Sequence, residues 1–506
     1  MTTVAFRVDA DERIGLGHAM RCLALAEALR SRGAQTVFAV AALPHDAVAA
    51  LRSRGHTVLS VAGSDRLLRG EPYGELNATE QRADALATRN ALSALGRIDW
   101  IVVDHYRLGL VWERLAAGFA QRVAVIDDHA QRAHDCDLLI DHNVSAAWAQ
   151  YDELLAPRTV RLLGPRFALL RHEFARPAEA KLRPRATVAR LLVSFGGFDP
   201  TGETEKILRA LALGPAASLG VDVVVGAAHP RLAAIRRLAA SFSSVDVHVA
   251  VQRMDELIER ADLCIGASGI SVLERCAKGL PSLLIAVADN QVPIARALAE
   301  RGAAIYLGRS EDVDEERIAR AIGGLQAMPE LVAMMAQKAA EVCDGDGARR
   351  AAARMLSFDL QLRPAAPSDC ERVFAWRNDE KVRRHSLDPA PIDFARHAAW
   401  FSDRLRDEHG ALLIGEDARG PVGVLRYDVR GAAARVSVYL VPGRHGEGLG
   451  ALLLHAGHRW LAEHRPAVHF VEADVLADNP ASQLAFVEAG YTLRQYVLRR
   501  RLTSQE

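Results

Sequence analysis

Short apolar runs alternate with longer amphipathic stretches over the first two-thirds of the chain. The runs at 3–9, 36–41, 57–61, 99–104, 122–126 and 138–140 read as strands, and helix-length stretches lie between most of them, one running from Ala19 to about Arg32. Near-continuous apolar strands separated by amphipathic helices predict a parallel sheet covered by helices. The pattern restarts at Arg190-Leu-Leu-Val-Ser-Phe195, with a turn at Gly196-Gly197, a helix from about Glu203, and strands at 221–225, 246–250, 262–265, 282–286 and 303–307. An Arg- and Pro-rich connection, Arg176 to Ala186, marks a boundary near 165–188, and the Ala- and Met-rich segment 331–356 reads as helix. Two Rossmann-like halves are expected, 1–170 and 171–355, with ligands held at the carboxyl ends of their strands in a cleft between them.

From Phe358 the pattern changes. A strand near Leu360, a turn, and a helix capped near Ser368 precede strands at 411–416, 421–428 and 434–441. A glycine-rich turn and helix at 443–463, a strand at 468–475, a helix at 480–489 and a last strand near 491–499 follow. This predicts a separate α+β domain over 358–506. The fold class is α/β: two Rossmann-like halves, then the smaller domain.

Composition narrows the function classes. The chain has 506 residues, 25% of them charged, with a formal net charge of zero. That balance gives no basic surface for nucleic acid. The six cysteines form no C-x-x-C pair, so they read as reduced thiols in a cytoplasmic protein, and no metal is expected. No apolar run reaches the roughly 18–20 residues that span a bilayer, and the first residues enter a strand directly, so neither membrane span nor signal peptide is expected.

The candidate chemistry begins at Ile14-Gly15-Leu16-Gly17-His18-Ala19-Met20-Arg21-Cys22, where a strand turns into a helix. Glycines let the backbone approach a ligand, the helix start suits a phosphate, and an imidazole beside it can exchange a proton near neutral pH. Equivalent turns in the second half are Ser194-Phe-Gly196-Gly197-Phe-Asp199 and Gly266-Ala-Ser268-Gly269-Ile-Ser271. There a hydroxyl and backbone N–H groups could meet a diphosphate, and Glu274 could accept from ribose hydroxyls. Asp289-Asn290-Gln291 stands at another strand end. The Asp- and His-dense stretch from Asp127 to His142 reads as a loop lining a polar pocket rather than a metal site.

Together with Arg7-Val-Asp9, Val103-Asp104-His105-Tyr106 and Asp127-Asp128, these motifs resemble the nucleotide-sugar hydrolase of pseudaminic acid biosynthesis, over roughly residues 1–340. That family is similar to glycosyltransferases of the GT-B fold, notably the MurG type. The resemblance implies cleavage of UDP-2,4-diacetamido-2,4,6-trideoxy-β-L-altropyranose to UDP and free sugar, with His18 as the base that activates water. It also implies a UDP-sugar site built from Gly17, Arg21, Asp104, Tyr106, Gly196, Gly197, Ser268, Gly269, Glu274, Asn290 and Gln291.

In the last domain, Val441-Pro-Gly-Arg444-His445-Gly446-Glu-Gly448-Leu449-Gly450 and Asp478-Asn479-Pro-Ala-Ser482 to Tyr491 resemble the GNAT acetyltransferase family. The resemblance implies acetyl-CoA as co-substrate, its pyrophosphate held over Arg444 to Gly450 after Val441 and its pantetheine near Asn479 and Ser482. His445 stands where the family's motif usually has Gln or Arg, and Phe486 where many members carry a tyrosine acid. Tyr427, Tyr439 and Tyr491 are candidate donors and Glu472 a candidate base. The expected protein is a bifunctional enzyme acting on UDP-sugar and acetyl-CoA. Its rivals are a GT-B transferase fused to an acetyltransferase and a non-catalytic nucleotide-sugar-binding module.

Overall fold

The computed structural model describes residues 1–10, 16–63, 74–176, 182–213, 219–386 and 388–495. Ile14 and Gly15, residues 177–181 of the connection, and the end of the last expected strand lie outside them. The chain divides into two compact units, Met1–Ala352 and Ala353–Glu506, with the cut inside the helix Gly347–Leu356.

In the first unit, seven strands form one parallel sheet: β1 (Thr3–Val8), β2 (Gln35–Val40), β3 (Thr57–Ser60), β4 (Trp100–Asp104), β5 (Arg122–Ile126), β6 (Leu138–Asp141) and β7 (Val160–Leu163). Their order is β3-β2-β1-β4-β5-β6-β7. The strand β7 is absent from the apolar pattern because it is short, lies at the sheet edge and is interrupted by Arg161. A second parallel sheet holds β8 (Arg190–Ser194), β9 (Gly220–Val225), β10 (Val245–Val249), β11 (Leu263–Gly266), β12 (Ser282–Ala286) and β13 (Ala304–Arg309), ordered β10-β9-β8-β11-β12-β13.

Alternation explains why these strands read as unbroken apolar runs. Leu191 and Val193 pack on one face with Ile207 and Ile318, while Leu192 between them packs on the other with Ile258 and Ala295. Both faces are covered, so neither can be polar. In both sheets the chain reverses its winding between the first strand and the fourth. Loops leave opposite ways there, which opens a crevice between β1 and β4 and another between β8 and β11.

The second unit carries a mixed five-stranded sheet: β14 (Gln361–Pro364), β15 (Gly410–Asp417), β16 (Gly420–Arg430), β17 (Ala433–Leu440) and β18 (Phe470–Glu472), in that order. The first four are antiparallel; β18 runs parallel to β17 and pairs only over Ala433–Arg435. The remaining length of β17 has no β18 partner, which is why the apolar run 468–475 yields only a three-residue strand. Ser368 does not cap the first helix; Asp369 closes that turn by accepting from the Ala366 N–H at 2.8 Å.

Candidate active site

The helix Gly17–Arg30 begins two residues earlier than its apolar pattern suggests. Its N-cap position, Leu16, makes no side-chain capping bond, and its first turn holds no acidic residue. The positive end of the helix therefore faces the crevice between β1 and β4 with no acidic side chain in its own first turn.

His18 is buried and donates Nδ1–H to Oδ1 of Asp104, the last residue of β4, which is in register with Val8. This fixes the tautomer and leaves the lone pair on Nε2. Arg21 lies one helical turn on, hence on the same face. Its Nε and Nη2 donate to the two Asp104 oxygens, both at 2.6 Å, and its Nη1 donates to Asp128 Oδ2 at 2.7 Å. Tyr106 donates its hydroxyl to Asp128 Oδ1 at 2.8 Å. Its ring stands edge-on to His18, with centroids 4.5 Å apart, and to His129 at 4.6 Å. Burial alone would push both carboxyls up, but Arg21 and His18 outweigh it and hold Asp104 and Asp128 well below the usual range.

Two expectations change here. The sequence places Arg21 and Asp104 among the substrate-binding residues, yet both are 1% exposed and bound to each other and to His18. They orient the imidazole rather than offering polar atoms to a ligand. Asp128, by contrast, enters the sequence reading within the Asp127-Asp128 motif and an acidic stretch, without a role of its own, and the structure places it on Arg21 and Tyr106. Three more residues of that stretch, Asp127, His134 and Asp141, are tied internally. Asp141 and Asp127 meet the Tyr151 hydroxyl at 3.0 and 3.2 Å, and His134 bonds Glu113 at 2.6 Å. Burial opposes a charge on His134, but Asp127 and Glu113 prevail and raise it to about 9.

In the second half, Gly196 and Gly197 follow β8 and are exposed. Asp199, at the end of that motif, caps the helix Glu203–Leu211, accepting from Glu203 and Thr204 N–H at 3.0 and 2.7 Å. Ser268 is fully buried: its N–H donates to Gln291 Oε1 at 3.3 Å and its hydroxyl to the Gln291 carbonyl at 3.2 Å. The Ser268 hydroxyl and Gln291, expected at the ligand, thus form a staple between the turns after β11 and β12. Among the described residues, a Cβ on Gly269 would come within 4 Å of Gln291 Nε2 alone, at 4.0 Å, which leaves that backbone open on this side. Glu274 is partly buried, 3.9 Å from Arg171. Burial raises its carboxyl to about 7, against the pull of Arg171 and Arg275. Asn290 is exposed at the uncapped start of the helix Gln291–Glu300.

A Cβ on Gly17 would stand 3.2 Å from Cδ1 of Ile270, so the His18 loop lies against the turn that carries Ser268 and Gly269.

A cluster of metal-ligand types among the described residues, Asp222, Asp246 and His248, lies elsewhere. Asp222 is already bound by Arg190 and Arg260.

In the second unit, Gly443, Gly446 and Gly448 all have positive φ (87°, 76° and 71°), winding the loop after β17 onto the start of the helix Leu449–His464. Val441 is buried and donates its N–H to the Val422 carbonyl. Arg444, expected at the phosphate, is engaged within the protein. Its guanidinium turns inward to Asp417 and Glu447, and its side chain is buried. His445 is partly buried; Gly450 packs closely on Ala485. Asn479 caps the helix Pro480–Glu488 by accepting from Ser482 N–H at 3.1 Å. Tyr427 is fully buried, its hydroxyl without a hydrogen-bond partner among the described residues and set against Gly457. Phe486 is core, Tyr491 meets His458 Nε2 at 2.9 Å, and Glu472 is exposed beside Arg435.

Residues 225–353 match the model of the glycosyltransferase family 28 C-terminal domain, and residues 359–492 that of the acetyltransferase (GNAT) domain. The chain is 36% identical over 220 residues to a UDP-N-acetylglucosamine--N-acetylmuramyl-(pentapeptide) pyrophosphoryl-undecaprenol N-acetylglucosamine transferase of Sorangium cellulosum, covering 42% of this chain and 53% of that protein. It is 30% identical over 156 residues to the spore coat polysaccharide biosynthesis protein SpsG of Bacillus subtilis, covering 31% and 46%. The chain thus spans about half the length of these relatives. Among solved structures, Acinetobacter baumannii MurG is 14% identical with a TM-score of 0.49, over 70% of this chain and 98% of that one. The chain thus has two Rossmann-like halves like those of GT-B glycosyltransferases, followed by a mixed-sheet domain similar to GNAT acetyltransferases. No helix among the described residues is long and apolar enough to cross a membrane.

Proposed function

We propose that the chain is a bifunctional nucleotide-sugar enzyme of the cytoplasm. Its GNAT domain N-acetylates the 4-amino group of a UDP-linked amino-6-deoxy sugar with acetyl-CoA. Its first unit hydrolyses the product, UDP-2,4-diacetamido-2,4,6-trideoxy-β-L-altropyranose, to UDP and free sugar. The observation that carries the hydrolytic reading is His18. Its Nδ1 is held by Asp104, its basic Nε2 is left over, and its loop abuts the Ser268–Gly269 turn.

Water attacks the anomeric carbon as Nε2 takes its proton, and the bond from that carbon to the diphosphate oxygen breaks. Asp104 balances the charge the ring acquires, as a buried carboxylate does for any base histidine. The leaving diphosphate is met by backbone N–H groups at Gly269 and Gly196–Gly197 and by the positive end of the helix Gly17–Arg30. Glu274 accepts from the ribose hydroxyls, Asn290 borders the same site, and Tyr106 walls the sugar side. In the GNAT domain the unpartnered length of β17 receives the pantetheine. The glycine loop from His445 to Gly450 receives the pyrophosphate through its backbone, since Arg444 is otherwise engaged. Tyr439 and Tyr491 are the candidate donors of a proton to the leaving thiolate.

A second reading is transfer of the sugar to an acceptor, favoured by the match of residues 225–353 to a glycosyltransferase model. One incubation separates the two. The protein is mixed with the UDP-4-amino sugar and acetyl-CoA, and products are followed by mass spectrometry. Free diacetamido sugar with equimolar UDP and CoA is expected. Sugar release that appears only when an acceptor is added would overturn hydrolysis in favour of transfer.

A further inference from the structure

His142 follows directly on β6 and belongs to none of the interactions described above. It is 1% exposed, and neither ring nitrogen has a hydrogen-bond partner among the described residues. A buried imidazole ordinarily satisfies at least one nitrogen; leaving both unmet is costly. Its neighbours explain where it sits. Strands β5 and β6 pair Ile126 with Ile140, so two residues on, Asp128 and His142 occupy matching positions. Strands β4 and β5 pair Val103 with Val125, which brings Tyr106 to that same level. Asn143 pins the arrangement by donating its side-chain N–H to the Asp128 carbonyl at 2.9 Å.

We infer that His142 is a binding residue of the His18 site, holding a hydroxyl-class group, either an ordered water or a sugar hydroxyl, through its unmatched N–H and nitrogen lone pair. This rests on the hydrolytic reading of the first unit. The choice of ligand class follows from charge. Burial, reinforced by Arg21, drives the ring down to about 4 against the opposing carboxylates of Asp128 and Asp104, so the ring is neutral at working pH. A neutral imidazole has one donor and one acceptor. It suits a group that both accepts and donates, which a hydroxyl does and a phosphate oxygen does not. Asp128 and Arg21 supply the charge beside it, and His142 supplies the uncharged polarity.

The test compares His142→Leu and His142→Asn with the unaltered chain, reading kcat and KM for UDP release, affinity for UDP alone, and thermal stability. Leucine removes both unmatched nitrogens, so stability is expected to hold or rise while kcat/KM falls at least tenfold and UDP affinity stays within twofold. Asparagine, which keeps a donor and an acceptor, is expected to restore part of the loss. A fall confined to kcat identifies the partner as water; a rise confined to KM identifies it as a sugar hydroxyl. A leucine variant with unchanged kcat/KM overturns the inference, as does one whose loss simply tracks unfolding and is not relieved by asparagine. If the unaltered chain releases no UDP from the nucleotide sugar, the hydrolytic reading itself has failed, and that outcome is read before either variant.

Discussion

The two halves of the first unit share a winding order and differ in what fills the crevice. Between β1 and β4 the contents are side chains: His18, Asp104, Arg21, Asp128 and Tyr106, joined in one line of hydrogen bonds. Between β8 and β11 the contents are backbone and small residues: Gly196, Gly197 and Gly269, with Ser268 and Gln291 turned inward to brace the turns. Fixed charges in a buried place suit a group that must hold a proton in one position. Open backbone N–H groups suit a diphosphate that arrives and leaves. On the proposed function, one topology serves two tasks, with chemistry on one side and binding on the other.

The largest expected effect sharpens that division. His18→Asn and Asp104→Asn are each expected to lower kcat for UDP release about 10²- to 10⁴-fold, the range of a lost general base or its orienting carboxylate. Affinity for UDP, measured calorimetrically, should stay within a few-fold, because in the proposed mechanism the diphosphate is met by backbone N–H groups and a helix end rather than by the His18 or Asp104 side chains. A parallel loss of UDP affinity would erase the distinction.

Arg444→Ala comes next and probes whether a motif arginine binds cofactor or holds the fold. Its removal leaves the buried Asp417 carboxylate without its main partner, a change of about 3 kcal/mol. A fall in the thermal midpoint of the GNAT domain is expected, with little change in KM for acetyl-CoA at a temperature where the domain remains folded. The reverse pattern would return Arg444 to the cofactor.

Glu274→Gln tests the binding half alone. UDP affinity should fall about tenfold, the worth of one charged hydrogen bond, with kcat nearly unchanged. The pH dependence has a definite sign. Burial raises this carboxyl from 4.5 to about 7, so the folded chain keeps a proton the unfolded chain has released. That term makes stability fall as pH rises from about 4.5 to about 7 and level off above it. UDP, by favouring the carboxylate, should bind more tightly as pH rises through about 7. Both slopes should be weaker in the glutamine variant, as seen in melting and binding curves across that range.

The smallest effect concerns Tyr427. Removing its unpartnered hydroxyl in Tyr427→Phe should raise stability by about 1 kcal/mol and leave acetylation intact. Loss of acetylation would restore Tyr427 as a proton donor.

Much of this was legible in the order of residues. Unbroken apolar strands of the first unit announce a parallel sheet because both its faces are covered. The Gly17-His18 step marks a strand-to-helix turn because glycine and an uncapped helix start leave no other reading as simple. The short edge strand β7 escaped because its hydrophobicity is broken by Arg161, and β18 came out shorter than its apolar run because pairing, not propensity, ended it. Functional roles were harder to read than positions. Arg21, Asp104, Ser268, Gln291 and Arg444 all look like ligand contacts in sequence, since polar residues beside glycine turns at strand ends face ligands in such folds.

What the sequence alone determined is the architecture: two parallel sheets and a mixed one, and the turns that carry their chemistry. Only the tertiary structure decided which polar side chains look outward. That choice depends on partners 83 residues away in the case of Arg21 and Asp104, and 27 in the case of Arg444 and Asp417. A buried ion pair forms only when strand order brings its members together, and once formed it takes both out of the ligand's reach. Local spacing encodes periodicity and turns. It does not encode which distant carboxylate a given arginine will meet.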